Sequence, residues 1–362
     1  MSATAPTATE QREVVVIGGG QAGLAIGYFL TQQGCRFTIL EAAAEPAAAW
    51  RARWDSLKLF TPVRYDSLPG MPFPGEADSY PGREDVVAYL TAYARRFELP
   101  VEFDSRVQTV RERDGGFLVE LADRAYEAAQ VVVATGPFQV PFTPGMSEAL
   151  AADVVQLHSS DYRSPADLPA GTVLVVGGGN TGFQIATELA ATHEIHLAIG
   201  ARQTPLPQRI LGRDLFRYLE ATGLMSKTVS SRVGQRMQAR ETLIGSSPRA
   251  ARRQRIRMQS RATRAEGATV SFADGSDLKV DAVVWATGFR LDHSFVQLPV
   301  LDTRGQVEHE RGVTGNPGLY CLGLPWQHTR GSALLGWVKD DAQYLAQRIA
   351  AVAETASPAR AR

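Results

Sequence analysis

Cysteine is nearly absent from this chain of 362 residues: Cys35 and Cys321 are the only two, far apart and in apolar settings. No C-x-x-C pair exists, which excludes a cysteine-built structural zinc site and a thioredoxin-type dithiol. So few thiols suit a reducing compartment, and a cytoplasmic location is expected. Net charge is absent as well, 38 Lys and Arg balancing 38 Asp and Glu. No overall field favours a polyanion, and no nucleic-acid partner is expected. No unbroken apolar run approaches the roughly 18 residues of a membrane span, so no integral membrane segment is expected. The six histidines show no metal-ligand spacing, and no metal is expected. No serine stands at the centre of either glycine-rich loop, which excludes a nucleophile elbow of the Ser-His-Asp kind. The opening "MSATAPTATEQRE" lacks the basic-then-apolar order of a signal peptide. Residues 1–12 read as a disordered tail and 351–362 as a C-terminal tail.

What remains is an ordinary globular composition, 44% apolar and 21% charged, at a length that suggests two domains. An eleven-residue stretch occurs nearly twice: "VVVIGGGQAGL" at 14–24 and "VLVVGGGNTGF" at 173–183. Each begins as an all-apolar run, the mark of a parallel strand buried on both faces. After the first, apolar residues at helical spacing run to Gly34, and Phe37–Leu40 is the next strand, with Glu41 at its end. A later pattern also repeats. A strand at 106–111, the turn at Asp114-Gly115, a strand at 117–121 and "VVVATG" at 131–136 correspond to "ATVSFADGSDLKVDAVVWATG" at 268–288. The fold expected is α/β: two Rossmann-like dinucleotide-binding domains of ββα three-layer type, the second inserted in the first. The first comprises 13–165 and 289–350, and the second 166–288. Residues 203–265 carry fourteen Lys and Arg against three acidic residues and read as a solvated Arg-rich cap on the second domain.

G-x-G-x-x-G binds a dinucleotide when a strand precedes it, a helix follows and an acid stands about 20 residues on. The first copy meets all three conditions. Gly18 permits the tight turn, Gly20 lets backbone approach a pyrophosphate, and Gly23 lets helix pack on strand. Gln21 and Ala22 open the helix whose N-terminus would face the phosphates. Glu41 would accept from the adenosine ribose diol. The second copy, Gly177, Gly179 and Gly182 with Asn180 and Thr181, keeps the loop but has no acid. Counting 21 residues from Gly179 reaches Gly200, followed by Ala201 and Arg202. An arginine there grips a 2′-phosphate that a carboxylate would repel. The pair implies FAD on the first loop and NADPH on the second, a combination made for hydride transfer.

"AAWRARWDSLKLFTP" at 48–62, "LPGMPFP" at 68–74, "YPGREDVVAYLTAYARRF" at 80–97 and "LHSSDYRSP" at 157–165 resemble the class B flavoprotein monooxygenases. The likeness is to their small flavin-containing branch, with its YUCCA-type, CzcO-like and ArsO-like members. His158 and Tyr162 match the tail of that family's F-x-G-x-x-x-H-x-x-x-[WY] fingerprint, while Ala152 and Val154 stand at its first two positions. Pro62 stands where animal-type members carry an asparagine that supports the oxygenated flavin. The resemblance implies an NADPH-dependent FAD monooxygenase. It would insert one oxygen from O₂ into a small organic substrate through a flavin C4a-hydroperoxide. It also implies flavin contacts at Gly323, Gln327, Ser332 and Ala333, in a segment expected to open a helix near Ser332. Thr61 and Val107 are further candidates by position. Trp50 and Arg51, with Trp54, either wall the flavin or form one helix face packed on the core. The turns Ala134-Thr135-Gly136 and Ala286-Thr287-Gly288 either approach each nucleotide closely or serve as crossovers between domains. No catalytic side chain stands out; His158 reads as a hinge residue bonded to backbone. Two other functions fit the same loops, an NADPH oxidase or quinone- or flavin-type reductase, and a redox-sensing regulator.

Overall fold

The computed structural model describes residues 9–201, 203–240 and 242–356. Strand β1 (Thr9–Ile17) is the axis of the first sheet, and Val14–Val16 are wholly buried because both faces are covered. It starts four residues earlier than expected, since Thr9–Arg12 pair in register with Ala125–Ala128. The supposed tail is therefore strand from Thr9 onward. Helix α1 (Gln21–Gln32) ends against Gly34, whose φ of +67° admits the reversal into β2 (Phe37–Leu40). A short helix α2 (Ala48–Arg51) and helix α3 (Arg83–Arg96) flank the irregular segment expected from the Pro, Trp and Gly content. Strand β3 (Val101–Glu102) joins β2. Strands β4 (Thr109–Arg113) and β5 (Gly116–Glu120) form a hairpin that hands over to β6 (Ala125–Val133). The first hairpin strand lies two to three residues later than read and the second one residue earlier, because the turn at Asp114 and Gly115 (φ +49° and +78°) pairs Arg113 with Gly116.

After a crossover strand β7 (Val140–Pro141), β8 (Val155–His158) runs parallel to a strand of the second sheet. The boundary at residue 165 is thus corrected: 155–158 belong with the second unit. That sheet continues with β9 (Thr172–Val176), helix α4 (Asn180–Leu189) and β10 (Glu194–Ala198). The Arg-rich segment holds β11 (Thr204–Leu206), β12 (Arg209–Ile210), β13 (Arg213–Asp214) and helices α5 (Leu215–Ala221) and α6 (Arg232–Gln238). Strand β14 (Thr242–Ile244), helix α7 (Pro248–Arg253) and β15 (Arg257–Gln259) follow. Here too the reading is corrected. Strand β15 pairs with β10, so the cap ends before it, and residues 257–259 and 262–265 belong to sheet strands rather than to the cap. Strands β16 (Ala262–Glu266), β17 (Thr269–Phe272) and β18 (Asp277–Lys279) make a separate antiparallel layer, and β19 (Ala282–Trp285) returns to the parallel sheet. The second sheet reads β15-β10-β9-β19-β8, wholly parallel.

Crossover strand β20 (Phe289–Arg290) pairs antiparallel with β7, so the two chain passages between sheets form one ribbon. Strands β21 (His309–Glu310), β22 (Val313–Thr314) and β23 (Leu319–Cys321) complete the first sheet as β21-β22-β23-β6-β1-β2-β3. Helix α8 (Val338–Ala356) closes it. The helix runs six residues into the stretch read as a C-terminal tail, as its apolar side (Val338, Ala342, Leu345, Ala346, Ile349) is buried with α1 and α3 in one core. Each large apolar side chain removed from water there contributes about 1.5–3 kcal/mol.

Candidate functional site

The two glycine loops are built alike to the level of single hydrogen bonds. Gly18 N donates to Leu40 O at 2.8 Å, and Gly177 N to Ala198 O at 3.0 Å. Ala134 N donates to Ile17 O and Ala286 N to Val176 O, both at 2.8 Å. Gly18 (φ +112°) and Gly177 (φ +131°) turn sharply against these carbonyl-bearing residues. A Cβ would lie 2.5 Å from Ala134 O in the first and 2.1 Å from Ala286 O in the second. Gly23 and Gly182 let helix meet loop, with a Cβ at either standing 1.9 Å from the carbonyl of Gly18 or Gly177. Gly20 differs in kind: a Cβ there meets nothing within 4 Å. Its glycine serves open space beside the start of α1, where a phosphate would approach. Neither α1 nor α4 has a side-chain cap or an acidic residue in its first turn, so both N-termini keep donors and a positive end for an anion.

Glu41 is held at the end of β2 by two backbone donors, Gly19 N at 2.7 Å and Ala43 N at 2.9 Å. Because Leu40 corresponds to Ala198, the counterpart of Glu41 is Ile199, one residue before the Gly200 reached by counting. A Cβ on Gly178 would lie 2.8 Å from Ile199 Cγ2, so an apolar side chain fills the place of the acid. Arg202 lies outside the described residues. A second arginine, which the sequence alone did not single out, reaches the end of this loop: Arg261 donates to Gly200 O from Nε at 3.1 Å and Nη2 at 2.7 Å. It comes from the start of the antiparallel layer, 61 residues on, and no local spacing links the two.

The remaining candidates divide. Gln21 Oε1 accepts from Trp50 Nε1 at 2.9 Å, and Gln21 Nε2 donates to Ala333 O at 3.4 Å, so Trp50, Gln21 and Ala333 form one chain across the mouth of the first loop. Gly323 packs on Ala22, where a Cβ would approach to 2.8 Å. Arg51 turns aside to Pro46 O at 3.0 Å and Glu45 at 3.3 Å. Trp54 lies beyond α2 and is buried in the core of the second sheet, so the shared helix face with Trp50 does not form. Val107 packs against the core beneath the hairpin. Thr61 commits its hydroxyl to Asp66 Oδ1 at 2.6 Å.

The helix expected near Ser332 begins at Val338. Ser332 instead closes a turn, accepting from His328 N and Thr329 N at 3.0 Å each. Gln327 is buried and its Nε2 has no hydrogen-bond partner; a Cβ on Gly312 would stand 2.5 Å from it, so the amide is packed inward.

Thr135 Oγ1 and Gly136 O both accept from Gln139 Nε2, at 2.6 and 3.0 Å. In the second copy Thr287 donates to Phe142 O, and Gly288 O accepts from Phe142 N at 2.9 Å. Both ATG turns therefore tie down the crossovers as well as sitting beside the glycine loops. His158 Nε2 lies 3.0 Å from Gly288 O and Nδ1 2.8 Å from Ser160 Oγ. Burial holds its imidazole below the usual histidine range, against the pull of that carbonyl. It is a buried ring between β8 and the crossover, edge-on to Phe289 at 5.0 Å. In the second loop Asn180 Oδ1 accepts from Ile244 N at 3.0 Å, tying α4 to the cap, with Thr181 half-buried beside it.

Comparison with known proteins agrees with this geometry. Residues 15–209, over half the chain, match the family described as pyridine nucleotide-disulphide oxidoreductase. An uncharacterized CzcO-like oxidoreductase of Geobacillus kaustophilus is 43% identical, over 92% of this chain and 97% of its own. The probable indole-3-pyruvate monooxygenase YUCCA8 of Arabidopsis thaliana is 28% identical over 96% of this chain and 91% of its own. The structure of a flavin-containing monooxygenase from Stenotrophomonas maltophilia matches with a TM-score of 0.80 at 32% identity, over 95% of this chain and 99% of that one. No described helix is long and apolar enough to cross a membrane. Two dinucleotide loops on two parallel sheets, with these relatives along nearly the whole chain, show that it belongs to the pyridine nucleotide-disulphide oxidoreductase family and is a class B flavin monooxygenase, an enzyme that uses FAD and NADPH.

Proposed function

We propose that the first sheet holds FAD and the second NADPH, and that the enzyme transfers one atom of O₂ to a small organic molecule bearing a soft nucleophile or a carbonyl. The observation that carries this is the contrast between the loops: the same cradle twice, once ending in Glu41 and once in Ile199 with Arg261 beside it. When bound, FAD supplies hydride acceptance and oxygen activation. The chain supplies the rest. Gly20 and the start of α1 receive the pyrophosphate, Glu41 accepts from the ribose, and Gln21, Trp50 and Ala333 close the loop mouth. The cap covers the site from outside. Its α5 brings Phe216 against Phe60 (6.0 Å, stacked) and Trp337 (5.5 Å), which excludes water from the segment leading to α8.

The test is a stoichiometry. Purified enzyme with FAD, NADPH and ¹⁸O₂ is offered soft nucleophiles and ketones or 2-oxo acids. Expected are substrate-stimulated NADPH consumption and one labelled oxygen per NADPH in the product. Hydrogen peroxide equal to NADPH consumed, whatever is added, would establish an oxidase instead. Negligible consumption under every condition would favour the sensing role.

Arg261 makes a separate prediction. A guanidinium bond to a phosphate contributes about 1.5–3 kcal/mol. Arg261→Ala is therefore expected to raise KM for NADPH roughly tenfold or more while leaving KM for NADH within about twofold. Equal changes for both coenzymes would show that the arginine merely braces Gly200.

A further inference from the structure

The two sheets are joined by two chain passages, and a cation is clasped between them. Arg53 follows α2, and its guanidinium carbon lies 4.3 Å from the centre of the Phe138 ring and 5.2 Å from that of Phe289. Phe138 comes two residues before β7 and Phe289 opens β20, so one ring belongs to each passage. The rings meet edge to face at 5.2 Å, and His158 from β8 stands edge-on to Phe289 at 5.0 Å. The covalent ribbon itself is slight, with two residue pairs between β7 and β20. Among the described residues no carboxylate pairs with Arg53, so its charge rests on the aromatic rings.

The segment around Arg53 is fixed to both units. On the first side, Trp50 Nε1 donates to Gln21 Oε1 at the mouth of the first loop, and Arg83 at the start of α3 donates to Arg53 O at 2.8 Å. On the second side, Trp54 is buried (3% exposed) in the core of the second sheet with Tyr162 and Leu168. Asp55 N donates to Arg163 O at 2.9 Å, and Arg163 Nη1 donates back to Ala52 O at 2.7 Å. Residues 50–55 thus run as a strut from the first loop to the second core. Arg53, near its middle, ties that strut to both passages.

Resting on FAD in the first loop and NADPH in the second, we propose that Arg53 is a positioning residue for hydride transfer, fixing the angle between the two sheets through Phe138 and Phe289. NADPH gives up a hydride, one proton with two electrons, to FAD and leaves as NADP⁺. The rate depends on donor and acceptor atoms meeting within about 3–3.5 Å, and a misplacement of about 1 Å costs up to roughly a hundredfold. Each nucleotide is held by its own sheet, so the angle between the sheets sets that distance. A ribbon of two pairs leaves the angle loose, and a clasp across both passages removes the freedom.

Phe138 is 58% exposed, so truncating it costs the fold little, and Phe138→Ala tests the clasp without unfolding the protein. Two readouts are taken. In FAD-loaded enzyme, anaerobic mixing with NADPH gives the limiting rate of flavin reduction and the Kd for NADPH. In the full chain, with or without FAD, nitroxides on Gln32→Cys and Ala191→Cys report the spread of distances between the units. Both positions are exposed, one on each unit, and Cys35→Ser removes the half-buried thiol that would compete for label. Expected in Phe138→Ala and in Arg53→Ala are a broader distance distribution and a limiting rate lower by roughly tenfold, with Kd for NADPH within about twofold. Phe138→Tyr keeps the ring and should match wild type in both readouts. An unchanged distribution or an unchanged limiting rate in the two alanine variants overturns the proposal, and so does a loss confined to Kd. Wild-type flavin that NADPH does not reduce would sink the coenzyme assignment instead. The distance measurement needs no coenzyme, so an unbroadened distribution would still overturn the clasp by itself.

Discussion

Gly20→Ala folds normally and loses FAD, whereas Gly23→Ala, three residues away, loses stability: this is the contrast expected from the first loop. Gly20 has an ordinary extended conformation (φ −76°, ψ −172°) that alanine adopts freely, and its Cβ would meet no protein atom within 4 Å. Nothing in the apo fold resists the methyl group; only a phosphate drawn against the start of α1 does. FAD affinity should fall by about a hundredfold, roughly 2.7 kcal/mol, while the melting temperature of the apoprotein stays within a degree or so. At Gly23 the Cβ would lie 1.9 Å from Gly18 O, a backbone atom that cannot rotate away. Helix α1 would have to lift from β1 by more than about 1 Å. That overpacking costs on the order of 3 kcal/mol with or without cofactor. Flavin-fluorescence titration and thermal melting of both variants check this. A Gly20→Ala protein that binds FAD as tightly as wild type would show that the pyrophosphate lies elsewhere. Gly182→Ala, with the same 1.9 Å approach to Gly177 O, should destabilise in the same way.

The second large effect is a pH-dependent gain in stability from Asp66→Asn. In the unfolded chain an aspartate ionises near pH 3.9, but in the folded protein burial keeps Asp66 protonated up to about 7. The sign follows from proton counting. Between those two values the folded state binds the extra proton, so stability falls as pH rises, by about 1.4 kcal/mol per pH unit. Below the lower value nothing is lost; above the upper the full cost is present and constant. Asparagine carries no charge and escapes this slope. Relative to wild type, Asp66→Asn should therefore gain roughly 2–3 kcal/mol between pH 5 and pH 8 and little beyond. Urea unfolding of the apoproteins at several pH values measures it. A wild-type-to-variant difference that is flat with pH would mean that Asp66 is ionised throughout, its free oxygen satisfied by water.

The repeated glycine loops were legible because their requirements are local. A strand, a turn that only glycine adopts, and a helix lie within eleven residues, and Glu41 follows at a spacing set by one helix and one strand. The hairpin turns at Asp114-Gly115 and Asp274-Gly275 were legible for the same reason, with both glycines at positive φ. Boundaries were less so. Thr9–Arg12 read as a tail because polar residues carry no strand pattern, yet the long partner β6 extends the pairing. The helix expected at Ser332 was delayed to Val338 by packing of Gly336 on the Tyr65 carbonyl, a contact across 271 residues of chain.

Composition and periodicity by themselves determined that this chain folds into two parallel-sheet units with two dinucleotide loops. They also distinguished the loop with an acid from the loop without one. Only the tertiary structure decided that Ile199 rather than Gly200 stands opposite Glu41, that Arg261 sits beside the second loop, and that Asp66 is buried with one oxygen unpartnered. The physical reason is common to all three. A loop's backbone needs are met by its own neighbours in sequence, whereas burial, charge pairing and register depend on which distant segments the packed sheets bring within a few ångströms.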